Sequence, residues 1–310
     1  MGAKGPPVNF PEVIPMAIAH EFNYEKPASL GSALALLTRY GNQAKILAGA
    51  TDLVVQLKEG TVTPQCLIDI KGLSELNQLG FEEGQLVIGA NVTFQELVLS
   101  DLVRRELPML SESALTVASI GVRNRATIAG NICSAVPSLD SAPVLLVYDA
   151  IVVVQGENGK REIKITDWFK APRKTALADN ELVVEIRIPV PGVRHRGVYV
   201  KLGRYRGEDL AQAGVGVMVT EANVYKVAFN AVGPIPRRSA KLEALLHGRT
   251  LDDALLKQAR AEVPGEISPI TDIRASREYR THMCQVMLER SLRAASELLA
   301  GKSIDVEHLV

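Results

Sequence analysis

The order of apolar patterns predicts an α+β chain in two parts. Strand and helix signals alternate through the first 190 or so residues, and beyond a Pro-Val-Pro-Gly break at 189–192 three β-rich runs are followed by helices. The length of 310 residues agrees, because it suits about two domains. Composition is that of an ordinary globular protein, with 47% hydrophobic and 23% charged residues.

Ser29 opens an amphipathic helix that runs to Tyr40 and stops at Gly41. The apolar run Lys45–Ala48 predicts a buried strand, the small residues 49–52 a turn, and Leu53–Lys58 a helix. Cys66–Ile70 and Gln85–Ile88 follow as strands, and Thr93–Leu99 and Glu106–Ala118 as helices. Residues 121–143, rich in Gly, Ser, Asn, Asp and Pro, predict one long loop of the kind that more often carries function than mere connection. Val144–Val147 resumes a helix. Ala150–Val154 and Arg161–Ile165 then flank an Asn158-Gly159 turn, a hairpin signature. Leu182–Pro189 alternates as a strand. In the second part, Val198–Leu202, Gly214–Thr220 and Lys226–Val232 predict strands, and Ala240–Leu246, Leu251–Ala261 and Arg277–Leu299 predict helices. The boundaries expected are 1–192, with subdomains about 1–75 and 76–192, and 193–310.

Several function classes are excluded or weakened. Lys and Arg total 35 against 35 Asp and Glu, so there is no net field to gather nucleic acid or an acidic membrane. Three isolated cysteines and five scattered histidines offer no metal-ligand spacing, so no metal site is expected. The apolar stretch Val13–Ala19 is short and broken by Pro15, which predicts neither a leader nor a membrane span, and a cytoplasmic location is expected. Rossmann, P-loop, serine-hydrolase and zincin fingerprints do not occur.

Two constellations suit ligand chemistry. In LAGATD (Leu47, Ala48, Gly49, Ala50, Thr51, Asp52) a strand ends in small residues before a helix, leaving backbone N–H groups open at a positive helix terminus, a phosphate cradle. In Thr127-Ile-Ala-Gly130-Asn131, with Asp140 downstream, a hydroxyl, open backbone and a carboxylate suit sugar or polyol hydroxyls. On physical grounds alone each is more often an ordinary tight turn than a ligand site. The pairs Arg123/Arg125, Arg204/Arg206 and Arg237/Arg238 suit phosphates, a partner or plain solvent; Trp168 suits a partner anchor or the core.

LAGATDL at 47–53, IGA at 88–90 with Thr93, RNRATIAGN at 123–131 with Asp140, KLGRYRGEDLA at 201–211, GPIPRRSAKLEALL at 233–246 and DIRASREYRTHM at 272–283 share order and spacing with one family. Together they resemble the FAD-binding medium subunits of the molybdenum hydroxylases, the xanthine dehydrogenase and aerobic carbon monoxide dehydrogenase group. The resemblance implies a two-subdomain FAD-binding domain of the vanillyl-alcohol-oxidase type and a smaller C-terminal α+β domain. It implies that residues 48–52 wrap the FAD pyrophosphate, that Thr127, Gly130 and Asn131 close its other side, and that Asp140 bonds ribityl or ribose hydroxyls. Val184 would pack near the adenine or ring edge, and Lys201 would approach the flavin from the second domain, with Leu210 near the isoalloxazine. The implied partners are a molybdenum-cofactor large subunit and a 2Fe-2S small subunit, with NAD or a quinone as terminal acceptor; no catalytic residue is implied. A stand-alone flavoprotein oxidoreductase and a noncatalytic scaffold that has lost flavin remain as alternatives. The scaffold alternative rests on Ala50 and Ala129, where the family usually has glycine; alanine is expected to be tolerated if its φ is negative.

Overall fold

The computed structural model describes residues 18, 20–205, 209–306 and 309. The remainder of the 13–19 stretch, Arg206 and His308 lie outside the described residues.

Three strands, β1 (Asn23–Glu25), β2 (Ala44–Leu47) and β3 (Cys66–Asp69), form a parallel sheet in the order β1-β3-β2. Helix α1 (Leu30–Tyr40) connects β1 to β2, capped by the Ser29 side chain, and α2 (Leu53–Lys58) lies between β2 and β3. β4 (Leu79–Glu82), β5 (Gln85–Gly89), β6 (Ile151–Gly156) and β7 (Gly159–Lys164) belong to a second, antiparallel sheet. Beyond a small hairpin of β8 (Phe169–Ala171) and β9 (Lys174–Thr175), β10 (Leu182–Pro189) inserts at its centre, giving the order β4-β5-β10-β6-β7. The last sheet is antiparallel: β11 (His195–Leu202), β12 (Ala213–Thr220), β13 (Tyr225–Asn230) and β14 (Arg237–Arg238). The α+β class follows.

Between β5 and β6 the chain makes α3 (Phe94–Leu99), α4 (Asp101–Glu106), α5 (Pro108–Leu115), α6 (Ile120–Arg123), α7 (Ile128–Ser134) and α8 (Ser141–Val147), and α9 (Ile165–Trp168) follows β7. Here two expectations fail. The helix predicted at 106–118 spans only 108–115, because Glu106 is the last residue of α4, Leu107 leaves helical geometry and Pro108 starts a new first turn. The loop predicted at 121–143 is mostly helical: Ser119 and Thr127 cap helices of 4 and 7 residues, too short to display a 3.6-residue period. The hairpin also shifts by one residue. Gly156 pairs with Gly159, so Glu157 and Asn158 make the turn, and the positive φ falls on Gly159 alone.

Helices α10 (Ala240–Leu246), α11 (Asp253–Glu266) and α12 (Arg277–Leu299) pack on the third sheet. Helix α11 runs past the predicted Ala261 end and includes Pro264 near its last turn. One hydrophobic core joins the first two sheets and their helices; a second fills the space between the third sheet and its helices, where Met287 and Leu292 are fully buried. Trp168 is core, its indole N–H donating to the Ile132 carbonyl at 2.9 Å.

The seam between the two cores is close. A Cβ built on Gly216 of β12 would stand 2.7 Å from Pro143 Cβ of α8. Gly216→Ala is therefore expected to cost about 1–3 kcal/mol of stability in urea unfolding, the usual penalty of overpacking. Gly192→Ala, with nothing within 4 Å, serves as the near-neutral control.

Candidate functional site

A cleft of about 560 Å³ opens where the first sheet, α7 and the third sheet meet. Its size falls in the ordinary range for ligand pockets. The β2–α2 turn supplies Ala48, Gly49, Ala50, Thr51 and Asp52, α7 supplies Thr127, Gly130 and Asn131, and Asp140, Lys201 and Leu210 complete it. Leu47 and Val184 are not on the wall. Leu47 is spent on the sheet, paired with Asp69 and accepting from the Ile70 N–H. Val184 sits at a bulge in β10, and the irregularity turns Leu182 and Val183 to the cleft instead.

The N–H groups of Gly49, Ala50, Thr51 and Asp52 find no acceptor among the described residues. Four successive open donors leading into a helix start suit an anionic group such as a diphosphate. Ala50 has φ +62°, so the expected condition of a negative φ is not met there; Ala129 lies inside α7. The left-handed conformation costs a non-glycine residue roughly 1–2 kcal/mol, and it is the turn that aims these donors. Gly49 is required for another reason: a Cβ there would lie 2.0 Å from the Arg125 carbonyl oxygen, where the turn touches the chain leading into α7.

On the opposite wall the Thr127 hydroxyl accepts from the Gly130 N–H at 2.9 Å, capping α7. Ser141 donates to Asn131 Oδ1 at 2.7 Å, which leaves the Asn131 NH₂ for the cleft. Ser134 donates to Asp52 Oδ2 at 2.5 Å, tying α7 to the β2–α2 turn. Cys133 also faces the cleft, and burial pushes its thiol up to about 12, so it stays protonated.

Asp140 is buried and doubly engaged: Tyr199 donates to Oδ1 at 2.7 Å and Lys201 to Oδ2 at 2.8 Å. Lys201 also donates to the Thr116 carbonyl at 2.9 Å. Burial raises the Asp140 carboxyl above the usual range, and Lys201 and Tyr199 oppose that rise. Asp209, near the mouth, is held down to about 2 by the Arg204 guanidinium. Lys45 and Arg173 line the cleft with no ion-pair partner among the described residues. The arginine pairs are mostly spent internally. Arg123 donates to the carbonyls of Leu115, Val117 and Ala118, and Arg238 pairs with Asp149 and Glu243.

Sequence reading missed Ser134, Lys45, Arg173, Leu182, Val183 and Tyr199. Only Tyr199 carried a signal, since it lies two residues from Lys201 and so on the same strand face.

The strain at Ala50 yields a test. Ala50→Gly is expected to leave the melting temperature unchanged or higher, since relief of the left-handed strain offsets the entropy glycine adds to the unfolded chain. Ala33→Gly, buried in α1, is expected to lower stability by about 1 kcal/mol or more in the same assay.

Residues 20–191 match the model of the FAD-binding domain in molybdopterin dehydrogenase, and residues 198–295 that of the CO dehydrogenase flavoprotein C-terminal domain. The chain is 33% identical over 282 residues to the carbon monoxide dehydrogenase medium chain of Hydrogenophaga pseudoflava, covering 90% of this chain and 98% of that one. It is 30% identical over 286 residues to a xanthine dehydrogenase FAD-binding subunit of Escherichia coli, again covering 90% and 98%. The structure superposes on a solved carbon monoxide dehydrogenase from Hydrogenophaga pseudoflava with a TM-score of 0.86 at 33% identity, over 89% of this chain and 98% of that one. With both halves matched in order, this chain belongs to the family of FAD-binding flavoprotein subunits of molybdopterin dehydrogenases.

Proposed function

We propose that this chain holds FAD in the cleft and is the electron-transfer subunit of a multi-subunit molybdenum-containing dehydrogenase or hydroxylase. The observation that carries the reading is the run of four unpaired N–H donors on the cleft wall, in a chain of a flavoprotein family. When bound, FAD takes electrons singly from one-electron donors and releases them as a pair. This chain's own residues bind and orient the cofactor. The N–H groups of residues 49–52 hold the diphosphate, and the Thr127 hydroxyl, the Gly130 backbone and the Asn131 amide close the other side. Each Asp140 oxygen keeps a free lone pair for a ribityl or ribose hydroxyl. Lys201 brings a cation to the wall, while Leu47 and Val184 act from behind it as packing. Binding and orientation need no nucleophile or general base, so no catalytic residue is assigned.

The partners proposed are a molybdenum-cofactor large subunit and a 2Fe-2S small subunit, with NAD or a quinone as terminal acceptor and the cytoplasm as location. No described helix is long and apolar enough to cross a membrane. The proposed domains are 1–192, with subdomains about 1–75 and 76–192, and 193–310.

Gly130 is exposed on the cleft wall, and a Cβ there meets only the Thr127 hydroxyl at 3.0 Å. Gly130→Trp is expected to lose at least about tenfold in FAD affinity, roughly 1.4 kcal/mol, with its circular dichroism unchanged. Full FAD retention by that variant would overturn the site. A wild-type protein that neither carries nor takes up FAD in any assembly it forms would overturn the function.

A further inference from the structure

Lys201 has three N–H donors, of which one goes to the Thr116 carbonyl and one to Asp140, leaving the third for the cleft that Lys201 lines. The charge that the wall shows an occupant depends on the carboxylate behind that ammonium. Asp140 is buried, and its second oxygen accepts from the Tyr199 hydroxyl at 2.7 Å. Tyr199 is itself buried, and its oxygen accepts from Asn230 Nδ2 at 3.3 Å, while the same amide donates to the Leu139 carbonyl at 2.9 Å. The chain of donors runs from β13 through β11 to the N-terminus of α8.

We propose that Tyr199 is a positioning residue whose buried hydroxyl holds the Asp140 carboxylate against the Lys201 ammonium, so that a neutral pair rather than a bare cation faces the FAD site. The proposal rests on FAD occupying the cleft. From each element packed on Asp140 the facing groups are few. β11 presents Lys201 and Tyr199, and β13 presents Asn230 through Tyr199. α5 presents the Ser113 hydroxyl, which donates to the Asp140 backbone carbonyl. Near the cleft mouth, Asp209 is held by Arg204. Lys201 is thus the one cation bonded to Asp140 among the described residues.

The sign follows from the hydroxyl's preference for the charged carboxylate. Without it, Asp140 takes up a proton at higher pH, the wall gains one positive charge, and the anionic diphosphate of FAD binds more tightly as pH falls. In Tyr199→Phe, the pH below which FAD affinity rises is expected to move upward by about one to two units, the worth of one hydrogen bond to a charged group. The double variant Tyr199→Phe/Asp140→Asn is expected to lose that pH dependence. The measurement is the FAD dissociation constant against pH, in the assembly the protein forms. A second readout needs no FAD: the Asp140 carboxyl resonance, in carbon-13-aspartate protein and identified by its absence in Asp140→Asn, is expected to titrate at higher pH in Tyr199→Phe. Folded Tyr199→Phe with an unmoved carboxyl titration, or with affinity lowered equally at every pH, would overturn the proposal. A moved titration in protein that never binds FAD would support the positioning role of Tyr199 and overturn the cofactor reading.

Discussion

A buried carboxyl group held by an ammonium and a phenol organises this molecule. Removing an ion from water costs several kcal/mol unless paired and hydrogen-bonded, and Asp140 meets that demand with a cation and a phenol, both from β11. Because Asp140 is the residue before α8, the interaction fastens the first core to the third sheet. Lys201 reaches on to the Thr116 carbonyl at the end of α5, so three elements converge on one ammonium. The close packing of Gly216 on Pro143 is the steric side of the same seam. The cleft lies against this seam, so its charge and its wall are set by the contact that joins the two halves.

The other wall is built from chain ends. Short helices contribute little packing of their own, but each presents unpaired N–H groups at its start, and α2 and α7 both begin at the cleft. Two steric conditions bring them together. The missing side chain at Gly49 lets the turn touch Arg125, and the left-handed Ala50 directs the following residues into α2. The Ser134–Asp52 hydrogen bond then ties the last residue of α7 to the start of α2. Strain in the turn is maintained because neighbouring contacts over-determine it.

Long periodic segments were legible in the sequence because burial repeats along them: Arg277–Leu299 coincides with α12 and Leu182–Pro189 with β10. The stretch 121–143 was not, since helices of 4 and 7 residues are fixed by a capping side chain and tertiary contact rather than by period. Small-residue turns flagged the loops at 47–52 and 127–131, and the structure brings both to one cleft. Nothing in a strand sequence announces the bulge at Val184, which moves the cleft contact to Leu182 and Val183. Nor can a local reading find Lys45 or Arg173, which reach the cleft only through tertiary placement.

The central claim is that the open N–H groups of residues 49–52 hold an anionic cofactor. Amide hydrogen exchange of the protein, in the assembly it forms, with and without FAD, tests it most directly. Unpaired amides exchange quickly, so the account predicts slowed exchange at Gly49, Ala50, Thr51 and Asp52 on adding FAD. Protection confined to other segments, with these four amides unchanged at saturating FAD, would contradict it.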